Sequence, residues 1–475
     1  MLGKLLLGKE IMNNAKAFAA VSILLGTLVN SRGAARAEEP AALTLEQAVA
    51  LALERNPQVL ISRSKIEALK GKIKEVRADA LPSVRLNGSG MRWRDPTFLN
   101  SSSFDKIPAE FRDALTVIPA NLFDYNLSIS QPLYTSGKVG TALKLASLES
   151  EGVGVDRDRV EQETRLRVVR AFYDLLLAQG RLLVTRGAVL EREKSLEIVR
   201  ARFTGGIATE VDVLRSQVSL ANVQPELIRA ENGVEQARTV LNNLLVRPLE
   251  FPTEAVGELS YQPAALTSLE EIVRQAYEHR PELARARINE REAEGQQKLA
   301  NAENRLRLDF NGQYGMNARL PKDLLDHEFT RYMFTVSVGL PIFDGGRRSG
   351  LVQQAISNRR VAGLVRVDTE NSVRLEAETA LHELERAEKT VEATRLNVSE
   401  AERVLTMMQD NYRYGAATTL DVLQAETALA TARWTHLQGL YDHTIAQAQL
   451  RFVMGLDPVV ETKAPSKSGE QHGGQ

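Results

Sequence analysis

Cysteine is absent from all 475 residues, which excludes disulfide frameworks, thiolate metal sites, cysteine nucleophiles and an acylated N-terminal cysteine. Aromatic residues are scarce at 5%, while Ala, Leu, Val, Glu and Arg abound, a balance that favours long helices meeting along thin, closely spaced seams. Excess charge of one sign is missing too. Lys plus Arg number 60 against 61 acids, so no basic field draws nucleic acid. Long apolar runs are lacking: the one from Ala17 to Val29 is about a dozen residues, where a helix crossing a bilayer needs about 20. Lys4, Lys9 and Lys16 precede that run and Ala35-Arg36-Ala37 follows it, so residues 1–37 read as a secretory signal with an A-x-A cleavage site, Met12 being an alternative start. No transmembrane helix is expected after cleavage. Neither half carries a nucleophile, base and orienter set or a metal cluster, and no G-x-x-x-x-G-K-[ST] or G-x-G-x-x-G occurs, so no enzyme, cofactor or metal site is expected. His436 and His443 lie too far apart on one helix for joint coordination and read as packing residues.

Repetition is what the chain has in abundance. FTGGIATEVDVL, from Phe203 to Leu214, returns as YRYGAATTLDVL, from Tyr412 to Leu423. In each copy glycine (Gly205 and Gly206, or Gly415) comes after a long apolar-periodic run, and a threonine, Thr209 or Thr418, opens the next. Glycine suits the left-handed position past a helix end. A threonine with an acid three residues later, Asp212 or Asp421, caps the following helix reciprocally, so each copy reads as the tip of a helical hairpin. Upstream, TLEQAVALALERNPQV from Thr44 returns as SLEEIVRQAYEHRPEL from Ser268, with Pro57 falling on Pro281 and Asn87-Gly88 on Asn311-Gly312. The chain therefore reads as two structural repeats, residues 38–255 and 256–458, each holding a helix pair, two strands and a helical hairpin. The polar Ser, Gly and Gln tail at 459–475 is expected to be disordered.

Period-two alternation marks the strands: SVRLNGSGMRWR from Ser83, FDYNLSISQPLY from Phe123, RLRLDFNGQYGMNAR from Arg305 and RYMFTVSVGLPIF from Arg331. Phe123, Tyr125, Leu127 and Ile129 share one face, as do Tyr332, Phe334, Val336 and Val338, with Asp124, Asn126, Ser128 and Ser130 on the other. A Pro, Ser and Asn-bearing loop from Asp95 to Pro119 separates the first two strands. Pro132 and Pro341 are expected to end their strands, and Gly137, Gly345 and Gly346 to form the joints into the long helices.

Those helices are expected over Lys138–Thr204 and Arg347–Arg413. In the second, Ala377, Ala380, Leu384, Ala387, Val391, Thr394, Val398, Ala401, Leu405, Met408 and Tyr412 alternate steps of three and four, a coiled-coil seam whose alanines imply close approach. The equivalent seam of the first helix runs from Val168 to Phe203 and is broken only by Arg192. At 1.5 Å per residue each long helix is roughly 100 Å, and the two shorter helices of each half together reach roughly 93 Å. Two short helices therefore run beside each long one, giving a rod with all strands at one end and the tips at the other. Strands of about ten residues fit a membrane-spanning barrel, yet four cannot close one, so several chains must contribute; physics alone permits eight strands from two chains or twelve from three. The alternative is a secreted coiled-coil adhesin or stalk without a pore.

The signal segment, the duplicated layout, LEQAVALALERNP, the strand ends QPLYTSGK and LPIFDGGR, and the G-x-x-T-x-x-D-V-L tips together resemble the TolC-like outer-membrane efflux protein family, over nearly everything from Leu43 to Pro458. The resemblance implies an α+β membrane protein: a homotrimer, each chain giving four strands to a 12-stranded outer-membrane β-barrel that continues into a long α-helical coiled-coil barrel across the periplasm. It implies passive export of small molecules or polypeptides, as the exit duct of a tripartite efflux pump or type I secretion system. The implied partners are outer-membrane lipid, a periplasmic adaptor (membrane fusion) protein docking at Gly205, Gly206, Thr209, Gly415 and Thr418, and an inner-membrane RND or ABC transporter. It further implies a periplasmic gate in which Asp421 rings the pore and Tyr412 of the second tip is linked to Asp212 of the first. The family's gate arginine falls on Ala417 here, its polar threonine on Val211, and its second pore acid on Gln424.

Overall fold

In the computed structural model residues 42–92, 106–108, 110–111, 121–263 and 268–459 are described. The signal segment, most of the Asp95–Pro119 loop and the polar tail from 460 onward lie outside the described residues. The chain divides into a short N-terminal unit, Met1–Ala42, and a main unit, Leu43–Gln475; the main unit carries the described helices and the four-stranded sheet.

Two helices open it, α1 (Leu45–Arg55) and α2 (Pro57–Ala78). Thr44 caps α1 in a reciprocal box with Gln47, and Asn56 ends α1 while its side chain accepts the Gln58 N–H at the start of α2. Pro57 at the first helical position supplies a pre-set φ and lacks only an N–H that has no helical partner there. Strands β1 (Ser83–Arg92) and β2 (Asn121–Tyr134) come next, then the 67-residue α3 (Lys138–Thr204), the first tip, and α4 (Glu210–Leu244). The second half runs α5 (Leu269–His279), α6 (Pro281–Asn301), β3 (Arg307–Ala318), β4 (Thr330–Gly339), the 67-residue α7 (Arg347–Arg413), the second tip and α8 (Thr419–Val453). Both long helices begin behind a left-handed glycine, Gly137 at φ +84° and Gly346 at φ +86°. A side chain at either position would strain the joint.

The strands form one antiparallel sheet in the order β1-β2-β3-β4. Register places Leu86, Leu127, Tyr314 and Tyr332 in one row and Val84, Ile129, Gly312 and Phe334 in the next. Pointing the other way are Arg85, Ser128, Gln313 and Met333, in the row between them, and Asn87, Asn126, Gly315 and Arg331, in the row beyond Leu86. One face of the sheet is therefore apolar and the other largely polar. The apolar face is bare, Leu86 being 77% and Phe334 65% exposed. Beyond the sheet, no helix among the described residues is long and apolar enough to cross a membrane.

Pro132 does not end its strand. β2 continues to Tyr134, with a shift in the β2–β3 register between Pro132 and Tyr134. The reason lies on the other edge: β1 pairs with β2 only as far as Ser83 opposite Ser130, so Pro132 sits past the ladder that its missing N–H would have interrupted, at a bulge where proline is tolerated. Pro341 does follow a finished strand, β4 stopping at Gly339.

Helix α3 is the central member, packed against α1, α2, α4, α6 and α8, while α7 packs on α5, α6 and α8. The largest core cluster joins Ala48, Val49 and Ala52 of α1 to Val168, Phe172 and Leu175 of α3 and Leu241 of α4. On α7 the seam from Ala377 to Leu405 turns inward, with Ala377, Ala380, Leu384, Ala387 and Val391 all buried. Phe203, by contrast, is 46% exposed, while its neighbour Arg202 is half-buried.

The tightest backbone approach in the sheet is at Gly315, where an added Cβ would stand 2.1 Å from the Tyr125 carbonyl oxygen and 2.6 Å from Asn126 Cα, whereas Gly88 faces open space. Gly315→Ala is expected to break the β2–β3 pairing and sharply lower the yield of membrane-inserted, protease-resistant protein, while Gly88→Ala leaves it unchanged. Limited proteolysis of isolated membranes reads both.

Candidate functional site at the hairpin tips

Both tips are built by the same local chemistry. At the first, Gly206 adopts φ +74°, the Ile207 N–H donates to the Arg202 carbonyl (2.8 Å) and the Gly206 N–H to the Phe203 carbonyl (2.9 Å). At the second, Gly415 adopts φ +78°, with Ala416 N–H to Asn411 carbonyl (2.8 Å) and Gly415 N–H to Tyr412 carbonyl (3.2 Å). These pairs close the last turn of each long helix as a Schellman motif. Gly205 has an ordinary φ of −82°, and Tyr414 occupies the corresponding place at the second tip with φ −87°. Only one glycine per tip answers to backbone geometry.

Thr209 and Thr418 then start α4 and α8. The Asp212 carboxylate accepts from the Thr209 N–H (3.0 Å) and hydroxyl (2.6 Å), and the Asp212 N–H donates back to the Thr209 hydroxyl oxygen (3.3 Å). Asp421 and Thr418 repeat this at 2.8, 2.7 and 3.3 Å. Hydrogen bonds from the threonine hold both carboxyls below the usual carboxylate range. Each acid is thus ionised at neutral pH and lies on the positive end of its own helix. The caps are fully formed above the ordinary carboxylate pKa and are lost as pH falls through the depressed folded value.

The structure brings Tyr412 and Asp212 into one neighbourhood with a third residue between them. The Thr419 and Tyr412 hydroxyls share a hydrogen bond of 3.3 Å, and the Thr419 hydroxyl also helps to hold the Asp212 carboxyl below its usual range. Thr419 itself is buried. Tyr412 receives a second, stronger partner that the sequence did not flag: Arg202 donates from Nη1 to the Tyr412 carbonyl (2.7 Å) while its guanidinium lies 4.4 Å from the centroid of the Tyr412 ring. The available signal was an asymmetry between the copies, since Asn411 stands where the first tip has Arg202. Gln424 is exposed and lines, with Val211, Leu420 and Leu423, a groove of about 900 Å³ between the two hairpins.

Above the tips α3 is tied to the second hairpin by a ladder of polar contacts. Arg165 pairs with Asp457 (2.8 Å), Arg170 with Gln449 (2.5 Å) and Asp174 with Tyr441 (2.5 Å). Nearer the tips, Arg181 covers the Trp434 ring at 4.7 Å and Glu191 meets Arg433 at 3.5 Å. Arg192, the lone break in the α3 seam, reaches both the Ser219 carbonyl (3.2 Å) and the Thr427 hydroxyl (3.1 Å). Beside it Glu426 is only 3% exposed and its Oε2 has no hydrogen-bond partner. Burial pushes its carboxyl up to about 7, against the opposing pull of Ser195 and Arg192. His443 is buried against the Tyr261 ring and His436 bonds Thr394, and no metal-holding cluster occurs among the described residues.

Comparison with known proteins places these features in context. The family model described as "Outer membrane efflux protein" matches residues 48–246 and 272–456. Outer membrane protein TolC of Vibrio cholerae is 24% identical over 409 residues, covering 85% of this chain and 89% of the relative. The alkaline protease secretion protein AprF of Pseudomonas aeruginosa is 26% identical over 437 residues, covering 88% and 86%. Among solved structures, a membrane protein from Pseudomonas aeruginosa superposes with a TM-score of 0.75 at 21% identity (88% of this chain, 91% of that one), and the outer membrane protein VceC of Vibrio cholerae with 0.71 at 18% identity (87% and 97%).

Glu426 generates a pH dependence of opposite sign to that of the tip acids. Because its folded pKa is raised to about 7 from 4.5, the folded chain keeps a proton that the unfolded chain releases, so stability falls as pH rises between those values and levels off above. Thermal unfolding at fixed ionic strength is expected to show this slope in the wild type and to lose it in Glu426→Gln, which gains stability relative to wild type at pH 8.

Proposed function

The chain belongs to the outer membrane efflux protein family, and from that membership we propose that three copies assemble into one exit duct. Family members are passive outer-membrane channels rather than enzymes, and this protein is an outer-membrane channel that extends into the periplasm. The single observation that carries assembly from several copies is the sheet, and family membership supplies the number three. Its four strands have one apolar and one largely polar face, and β1 and β4 each pair on one side only among the described residues. Three such sheets joined edge to edge give a closed 12-stranded barrel, lipid-facing outside and polar within, and no open edge in hydrocarbon. Exposed apolar residues along α7, among them Leu364 at 63% and Leu396 at 65%, supply surface for neighbouring copies in the helical part.

The matched element lengths of the two halves support an internal duplication, with 38–255 and 256–458 as its units. A passive duct needs an energy source elsewhere, so an inner-membrane transporter of the RND or ABC type and a bridging periplasmic adaptor complete the machine, the adaptor meeting the tips around Gly205, Gly206, Thr209, Gly415 and Thr418. At the periplasmic mouth three copies of Asp421 focus negative potential in a narrow entrance, Gln424 adds none, and Tyr412 with Asp212 holds the entrance closed. The pore-less stalk is set aside, since the relatives are outer-membrane channels of efflux and secretion.

Planar-bilayer recording tests this function. The purified wild type is expected to conduct with a preference for cations, and Asp421→Asn to bring the cation-to-anion permeability ratio close to unity at unchanged assembly. An unaltered ratio in that variant would remove Asp421 from the mouth.

A further inference from the structure

Arg202 makes the last contact between the two hairpins before the chain reaches the tips, and it makes two bonds at once. Its Nη1 donates to the Tyr412 carbonyl at 2.7 Å, and the plane of the same guanidinium covers the Tyr412 ring at 4.4 Å. The carbonyl belongs to the final turn of α7, where the helix dipole presents its negative end, so a cation is favoured there. From the Tyr412 hydroxyl the contact passes to Thr419 at the start of α8 and from Thr419 to Asp212 in the first turn of α4. Four helix ends, those of α3, α7, α8 and α4, are joined in one short chain of contacts. Higher on the α3–α8 ladder the ties join helix walls; this one gathers both tips.

We propose that Arg202 is the positioning residue of the periplasmic entrance: it holds Tyr412, and through it the second tip, against the first hairpin, so that the hairpins cannot separate until this contact breaks. The proposal rests on the reading of the protein as a gated duct. It also accounts for Ala417, which leaves that position of the second tip without an arginine; the cation comes from the opposite hairpin. Arginine is required rather than lysine, because only a planar guanidinium donates to the carbonyl and stacks on the ring together.

The test is single-channel recording of the full chain for wild type, Arg202→Ala, Arg202→Lys, Tyr412→Leu and the Arg202→Ala/Tyr412→Leu double variant. Arg202→Ala is expected to lengthen residence in the wide state about tenfold, the shift that about 1.4 kcal/mol produces. Arg202→Lys, which keeps the charge and most of the bulk, restores part of the closure, and the double variant opens by less than the two single effects summed because both changes remove the same guanidinium–ring contact. Should Arg202→Ala fail to assemble, Arg202→Lys and Tyr412→Leu carry the same comparison. A conducting wild type matched by Arg202→Ala, or single effects that add in the double variant, overturns the proposal. A wild type that passes no current overturns the gated-duct reading itself.

Discussion

A strand edge inside hydrocarbon has no water to satisfy its N–H and C=O groups, each of which then costs several kcal/mol. The rest of this molecule depends on that constraint. Among the described residues its sheet has four strands with two open edges, an apolar face bare of any covering layer, and a polar face unsuited to packing on a core. Such a sheet is unstable alone in water and prohibited alone in lipid. Joining to copies of itself removes those edges, and both long helices start just past strand ends, behind Gly137 and Gly346.

The helical part solves a different problem, which is how to hold helices roughly 100 Å long side by side along thin seams. Small residues do most of this. Ala377, Ala380 and Ala387 in the α7 seam, and Ala171 with Val168 in α3, let neighbours approach closely while burying little area per turn. Arginines of α3 supply the remainder, crossing to the second hairpin at intervals from Arg165 to Arg202. Such ties are individually modest where solvent reaches them. Their value lies in fixing which face of α3 meets α8, and near the tips in coupling the two hairpins.

Much of this is legible in the sequence because the two periodicities involved are unambiguous over long stretches. Eleven consecutive seam positions on α7 and the alternation from Phe123 to Ile129 leave no competing assignment, and the Thr-x-x-Asp caps at both tips come directly from residue chemistry. Pro132 misleads because a proline's cost in a strand depends on whether the neighbouring strand is still present at that position, and the end of β1 at Ser83 is a tertiary fact. The ladder is illegible for a related reason. Arginine is a common surface residue of such helices, and nothing local separates Arg202, which clamps a tyrosine more than two hundred residues away, from its solvated neighbours. Arg192 is visible only as an interruption, and Glu426 gives no sign of its burial.

Closure of three sheets into one barrel is the central claim, and the absence of native cysteine makes it directly measurable. One cysteine placed on each edge strand, at Asn87 in β1 and Thr335 in β4 with neighbouring positions scanned for register, can bridge only between copies. Oxidation of the membrane-embedded protein is predicted to give covalent dimers and trimers on a denaturing gel, with a circularly linked trimer as the limit. A ladder that stops at two chains, continues past three, or never forms at any register would contradict it.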